Sequence, residues 1–105
     1  MKLTEIAERL DLDLEDIEEL MGLYQETTES DLKELKKAIE AKDAEEVHKK
    51  AHSIKGASGN LGLTELHDVA TKINDLARGN SLDGIEPMVD EFSEKFDQLV
   101  KELDL

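Results

Sequence analysis

The chain has 105 residues and a formal net charge of −14, with three aromatic residues, one proline and no cysteine. This length suits one domain with a modest core, and the missing cysteines exclude disulfides and thiol chemistry. The acidic excess argues against nucleic-acid and anionic membrane partners, which need a basic patch. No apolar run could span a bilayer and no signal-peptide pattern is present, so we expect a cytoplasmic protein.

Apolar residues recur at helical spacing in the first half of the chain. A short helix is predicted over residues 3–10, followed by Asp13 as the N-cap of a long helix over residues 14–41. The connection after it is short, and Asp43 with Glu46 resembles a capping box. The apolar series of the long helix is Ile17, Leu20, Met21, Tyr24, Thr28, Leu32, Leu35 and Ile39.

The second half of the chain predicts three more helices. The third begins at Ala44 and ends near residues 60–62, and the fourth begins at Thr64 and ends at a left-handed cap at residues 79–80. The last begins at residues 81–83, which leaves Pro87 late for a first turn and predicts a kink or a later start. Because short links make neighbouring helices antiparallel, we predict an all-α fold. It is an antiparallel up-down-up-down four-helix bundle with a short extra N-terminal helix, in one domain over residues 1–105.

The third predicted helix carries the most informative residues. His52 lies at the edge of the apolar stripe, which predicts a ring that faces water. His48, Lys55, Gly56 and Gly59 lie at helical spacings that place them on its side of the helix. Each glycine costs a helix about 1 kcal/mol relative to alanine. Close approach by another surface would offset that cost.

These residue types suit phosphoryl chemistry. A histidine keeps a neutral, nucleophilic ring nitrogen near neutral pH. A phosphoryl group there would add close to two negative charges, which Lys55 could offset, while Gly56 leaves room for a partner. The chain has no phosphate-binding glycine loop and no paired carboxylates set for magnesium, so it needs no cofactor, and any magnesium should come from the partner.

The run HSIKGASGNLG from His52 to Gly62 resembles the signature of histidine-containing phosphotransfer (HPt) domains. The resemblance implies a bundle whose exposed histidine takes a phosphoryl group from a receiver-domain aspartate and passes it on, without kinase activity of its own. It implies that His52 is phosphorylated and that Lys55 and Gly56 assist. One departure concerns the next helix, where many relatives carry an acidic residue and this chain has Asn74. In chemotaxis kinases that acidic residue orients the histidine, so Asn74 argues against the chemotaxis version.

Bundle geometry also predicts a surface for the partner. Counting residues from the predicted connections places Lys72, on the fourth helix, level with His52. The same count places the segment around Thr28, on the long helix, on the other side of the third helix. With His48 and Gly59, these residues form the predicted contact surface for response-regulator receiver domains or a hybrid histidine kinase. No seam for a dimer is evident, so we expect a monomer.

Other functions remain open at this stage. The chain could be the phosphoacceptor domain of a larger histidine kinase, of the chemotaxis or hybrid type, or an acidic helical adaptor without phosphoryl chemistry. His48 and His52 also have the spacing of a helical metal pair, and Glu45 with His48 has the Glu-x-x-His pattern of di-iron bundles. A second such pattern is missing, so we predict no metal site.

Overall fold

A computed structural model describes residues 3–103. Within them the chain is entirely helical, and no β-strand occurs. The elements are α1 (Leu3–Leu10), α2 (Leu14–Glu40), α3 (Ala44–Asn60), α4 (Thr64–Arg78) and α5 (Ile85–Leu103). The predicted helices are confirmed, and the bounds of α2 to α4 agree to within two residues. Over residues 3–103, none of the helices combines the length and apolarity that crossing a membrane requires.

The helix ends follow local chemistry. The Asp43 carboxylate accepts a hydrogen bond from the Glu46 amide at 3.2 Å, which confirms the predicted N-cap of α3. Asp13 precedes α2 in an extended conformation, but its side chain makes no capping bond. After α4 the left-handed residue is Asn80, with φ of 63°, whereas Gly79 keeps φ of −79°. Asparagine tolerates this region because its short polar side chain can hydrogen-bond locally.

Helix α5 begins later than predicted. A turn occupies the predicted start, where the Ser81 hydroxyl accepts a hydrogen bond from the Asp83 amide at 3.3 Å. Gly84 then has φ of 75°, which no helix contains, and α5 starts at Ile85. Pro87 is therefore the third residue of the helix. In the first turn its missing N–H has no helical partner to lose, so no kink is required.

The core draws on all five helices. Helix α3 packs between α2 and α4, α4 packs on α5, and α1 packs on α2. Tyr24 and Phe96 meet edge to face, with ring centroids 6.0 Å apart, and join α2 to α5. The largest fully buried apolar side chains are Ile6, Ile17, Met21, Leu35, Val47, Ile85 and Phe92.

Leu20 departs from the predicted core. Ile17, Met21 and Tyr24 form the buried stripe of this part of α2, and Leu20 is 40% exposed beside it. Leu23, one turn further on, is 58% exposed. The prediction that Leu20 belongs to the core is wrong, because the stripe passes to one side of it.

Candidate functional site

His52 projects from the outer side of α3. The neighbours that anchor this turn, Ala51 and Ile54, are almost completely buried, whereas His52 is exposed. Because successive helical residues are rotated by about 100°, packing of Ala51 and Ile54 against the core turns the His52 ring outward. Its predicted exposure is confirmed.

His48 lies one turn before His52 on the same side of α3. The two imidazole rings stack with centroids 6.2 Å apart and planes inclined by 26°. His48 is half-buried. Within residues 3–103, neither ring takes part in a hydrogen bond or ion pair. The ring contact is therefore the feature of the described structure that bears on the orientation of His52.

Lys55 and Gly56 flank His52 on the next turn. Lys55 is half-buried, and in the described part of the chain it forms no ion pair. A Cβ atom added at Gly56 would find no atom within 4 Å. The space beside this glycine is open, and the Lys55 ammonium group is available to a negative charge at His52.

Gly59 has a different environment. A Cβ atom added there would lie 3.0 Å from Cδ2 of His67 on α4, closer than nearly all real Cβ contacts. The missing side chain therefore gives space to His67 of α4, although Gly59 itself is exposed. Packing against His67 is a reason for this glycine that the sequence did not reveal, and its contact with a partner stays a prediction.

Thr28 also departs from its predicted role. It is 1% exposed, so its side chain offers a partner no surface, and its assignment to the contact surface is corrected. The side chain hydrogen-bonds Tyr24, whose hydroxyl also shares a 2.7 Å hydrogen bond with Ser58 on α3. Burial raises the pKa of Tyr24, and the hydrogen bonds to Ser58 and Thr28 lower it by a smaller amount. This buried polar cluster joins α2 to α3.

A second polar link joins the same helices at the level of His52. The Ser53 hydroxyl donates a 2.8 Å hydrogen bond to the Asp31 carboxylate, and the Lys50 ammonium lies 3.9 Å from it. Along α2 the order Tyr24 then Asp31 pairs with Ser58 then Ser53 on α3, so the two helices run in opposite directions. Over residues 3–103 no group of three or more potential ligands could hold a metal ion.

Comparison with known proteins places this chain in a family. A family model described as "Hpt domain" matches residues 19–104, most of the chain and all of α3. The chain belongs to the Hpt domain family. It is also similar to "Multistep phosphorelay regulator 1" of Schizosaccharomyces pombe, with 37% identity over 62 residues, or 59% of this chain. The chain spans about a fifth of that relative's length, 21%. No solved structure gives a significant match.

The close approach of Gly59 and His67 marks the register of α3 against α4 in this Hpt domain. Seven residues separate Gly59 from His52, and seven separate His67 from Asn74, so equal helical rise brings His52 and Asn74 to one level. Asn74 is 3% exposed, and its Oδ1 atom accepts no hydrogen bond from residues 3–103.

Lys72 occupies another side of α4. It is exposed, but it lies five residues beyond His67, or about 140° around the helix. His67 packs beside Gly59 of α3 on a different side of α4, and the place of Lys72 in the contact surface stays a prediction.

Three residues of α2 have environments that the sequence did not reveal. Leu23 was not assigned a role, Leu20 was placed in the core, and Asp31 was not connected with Ser53. The exposed leucines have a local signal, since both flank the strongest apolar stripe of α2. The contact between Asp31 and Ser53 joins residues 22 positions apart and depends on the packing of two helices.

Proposed function

We propose that this Hpt domain is the phosphocarrier of a multistep phosphorelay. It accepts a phosphoryl group on His52 from a receiver-domain aspartate and passes it to another receiver. The family match and the phosphorelay relative both support a histidine phosphotransfer function. The observation that carries the assignment to His52 is its exposed ring, with Lys55 and open space at Gly56 on the next turn.

The fold supports this function as a rigid platform. We propose that residues 1–105 form one domain in which α2 to α5 make an antiparallel up-down-up-down bundle and α1 is an additional helix. The link from Ser53 to Asp31 and the buried pair of Tyr24 and Ser58 tie α3 to α2 one residue and six residues after His52. Preorganisation matters because phosphoryl transfer needs its attacking and leaving atoms close and in line.

The chemistry at His52 is a direct exchange. The lone pair of an unprotonated ring nitrogen attacks the phosphorus of the aspartyl phosphate, so a P–N bond forms as the P–O bond to aspartate breaks. The receiver aspartate leaves as a carboxylate, and the reverse exchange passes the group on. Lys55 offsets the charge of the bound phosphoryl group. Magnesium and stabilisation of the leaving group belong to the receiver, and the domain acts without kinase activity of its own.

The docking surface extends from His52 towards the exposed leucines of α2. Leu23 adjoins Tyr24, which contacts Ser58, and Ser58 lies six residues or about 9 Å along α3 from His52. A standard interface of about 800 Å² per partner would cover both. Leu20 and Leu23 are therefore proposed as the apolar contact for the receiver. Glu19 and Glu26 flank Leu23 on α2, which favours receivers with basic residues around the contact.

Phosphoryl transfer tests the proposal directly. Receiver domains would be phosphorylated with radiolabelled acetyl phosphate, freed of the donor and mixed with the wild-type chain, His52→Gln and His67→Gln. We expect acid-labile, base-stable label on the wild type and on His67→Gln, and none on His52→Gln. Label that persists in His52→Gln would contradict the assignment. Binding of a phosphorylated receiver without any transfer would favour the acidic adaptor instead.

A further inference from the structure

The stacked ring of His48 has no role in the exchange described above. It lies one turn from His52 on α3, with ring centroids 6.2 Å apart and planes inclined by 26°. Aromatic rings interact favourably at centroid separations of about 4.5–7 Å. His48 is the more buried of the two, so it is the better anchored partner.

No other interaction in the described residues fixes the orientation of the His52 ring. Over residues 3–103, no hydrogen bond or ion pair reaches its ring. The nearest polar link, from Ser53 to Asp31, lies on the α2 side of α3 and uses the neighbouring residue. An exposed side chain with two rotatable bonds samples several staggered rotamers, and only some of them direct a ring nitrogen at a docked receiver.

We propose that His48 is a positioning residue, which holds the His52 ring in the orientation that phosphoryl transfer requires. This inference rests on the proposed function, and it concerns the rate of the exchange and not the identity of the phosphorylated residue. A ring contact of this kind raises the population of the stacked orientation, relative to the other rotamers, by about two- to tenfold. The rate constant of transfer within the docked complex increases by the same factor, because only molecules with the correct ring orientation react.

Single-turnover transfer from a phosphorylated receiver domain, measured over a range of receiver concentrations, tests this role. The variants are His48→Ala, His48→Phe and, as a matched control on the same helix, Lys49→Ala. His48→Ala should lower the limiting rate constant about two- to tenfold and leave the half-saturating receiver concentration unchanged. His48→Phe should restore the rate, because it keeps the ring. Lys49→Ala should behave as the wild type.

Several results would overturn this inference. A changed half-saturating concentration with a normal limiting rate would make His48 a receiver contact. A His48→Phe variant as slow as His48→Ala would show that a ring nitrogen is needed and not the stack. A His48→Ala variant that transfers at the wild-type rate would remove the role altogether while label on His52 keeps the proposed function intact. A wild-type chain that takes no label would instead refute the proposed function.

Discussion

The Tyr24 hydroxyl on α2 and the Ser58 hydroxyl on α3 share a 2.7 Å hydrogen bond inside the core. Both residues are almost completely inaccessible to solvent, and Thr28 supplies a further hydrogen bond to Tyr24. The bond joins α2, which carries the exposed leucines, to α3, which carries His52.

Tyr24→Phe should destabilise the fold. The change leaves the Ser58 hydroxyl without this partner in the core, and a lost buried hydrogen bond costs about 1 kcal/mol. Urea unfolding followed by circular dichroism would measure the loss. Ser58→Ala and the double variant complete a cycle, and additive effects of the two changes would show that the hydroxyls do not interact.

The pH dependence of stability should carry the signature of Tyr24. Burial raises its pKa in the folded protein, whereas the unfolded chain releases the proton near the usual value of about 10. Above that pH the unfolded state binds fewer protons than the folded state, so the free energy of unfolding falls as pH rises further. The chain has one tyrosine and no tryptophan, so tyrosinate absorbance reports this residue alone.

Unfolding experiments across alkaline pH would compare the wild type with Tyr24→Phe. Above pH 10 the free energy of unfolding should fall less steeply for the variant than for the wild type, because phenylalanine has no hydroxyl to ionise. The decline that remains in the variant comes from other groups. Equal slopes, or a native tyrosinate titration at the ordinary pKa, would contradict the prediction.

Alanine at the two helical glycines of α3 should give opposite results. Gly56→Ala should stabilise the fold by about 1 kcal/mol, because the new Cβ meets nothing and alanine favours the helix. Gly59→Ala should gain little or lose stability, because its Cβ would press on His67. Thermal unfolding measures both changes, and His67→Ala is the control background in which Gly59→Ala should recover the gain. Equal stabilisation by both glycine changes would contradict the packing role of Gly59.

Leu23→Asp should weaken binding of a phosphorylated receiver by about tenfold, because a buried leucine contributes on the order of 1.5 kcal/mol or more. Leu14→Asp is a matched control, since Leu14 is 45% exposed at the start of the same helix. Titration calorimetry would measure both affinities. If the two variants bind equally well, Leu23 is not part of the docking surface.

Lys55→Ala should slow transfer to His52 or shorten the lifetime of the phosphorylated form, by about fivefold for one exposed ion pair of about 1 kcal/mol. Lys55→Arg should retain most of the effect, because it keeps the charge. Label transfer and decay of the label would be followed together, with Lys33→Ala on α2 as the control. Wild-type kinetics in Lys55→Ala would show that its charge is incidental.

Local chemistry explains why most of the fold could be predicted from the sequence. Asp43 and Glu46 specify the start of α3 within four residues, and no distant contact is needed. The predicted start of α5 was wrong because Gly84 takes a left-handed conformation before Ile85. The sequence alone does not determine the φ angle of a glycine.

Some features of the candidate site also follow from local sequence, and others depend on how the helices pack. The exposure of His52 follows from the apolar stripe on its own helix. The environment of Gly59 does not, because the same spacing serves a partner protein or α4, and only the packed helices show His67 beside it. Thr28 fitted both the apolar series of α2 and the predicted contact surface, and its burial selects the first.

Lys42, at the bend between α2 and α3, has a left-handed φ of 57°. Such a conformation costs a residue with a Cβ atom about 1–2 kcal/mol, and lysine lacks the short polar side chain that relieves it in asparagine. Replacing Lys42 by glycine would remove this strain and should raise the thermal stability of the fold. Lys42 is ten positions from His52, so this strain lies outside the helical turn that carries the imidazole.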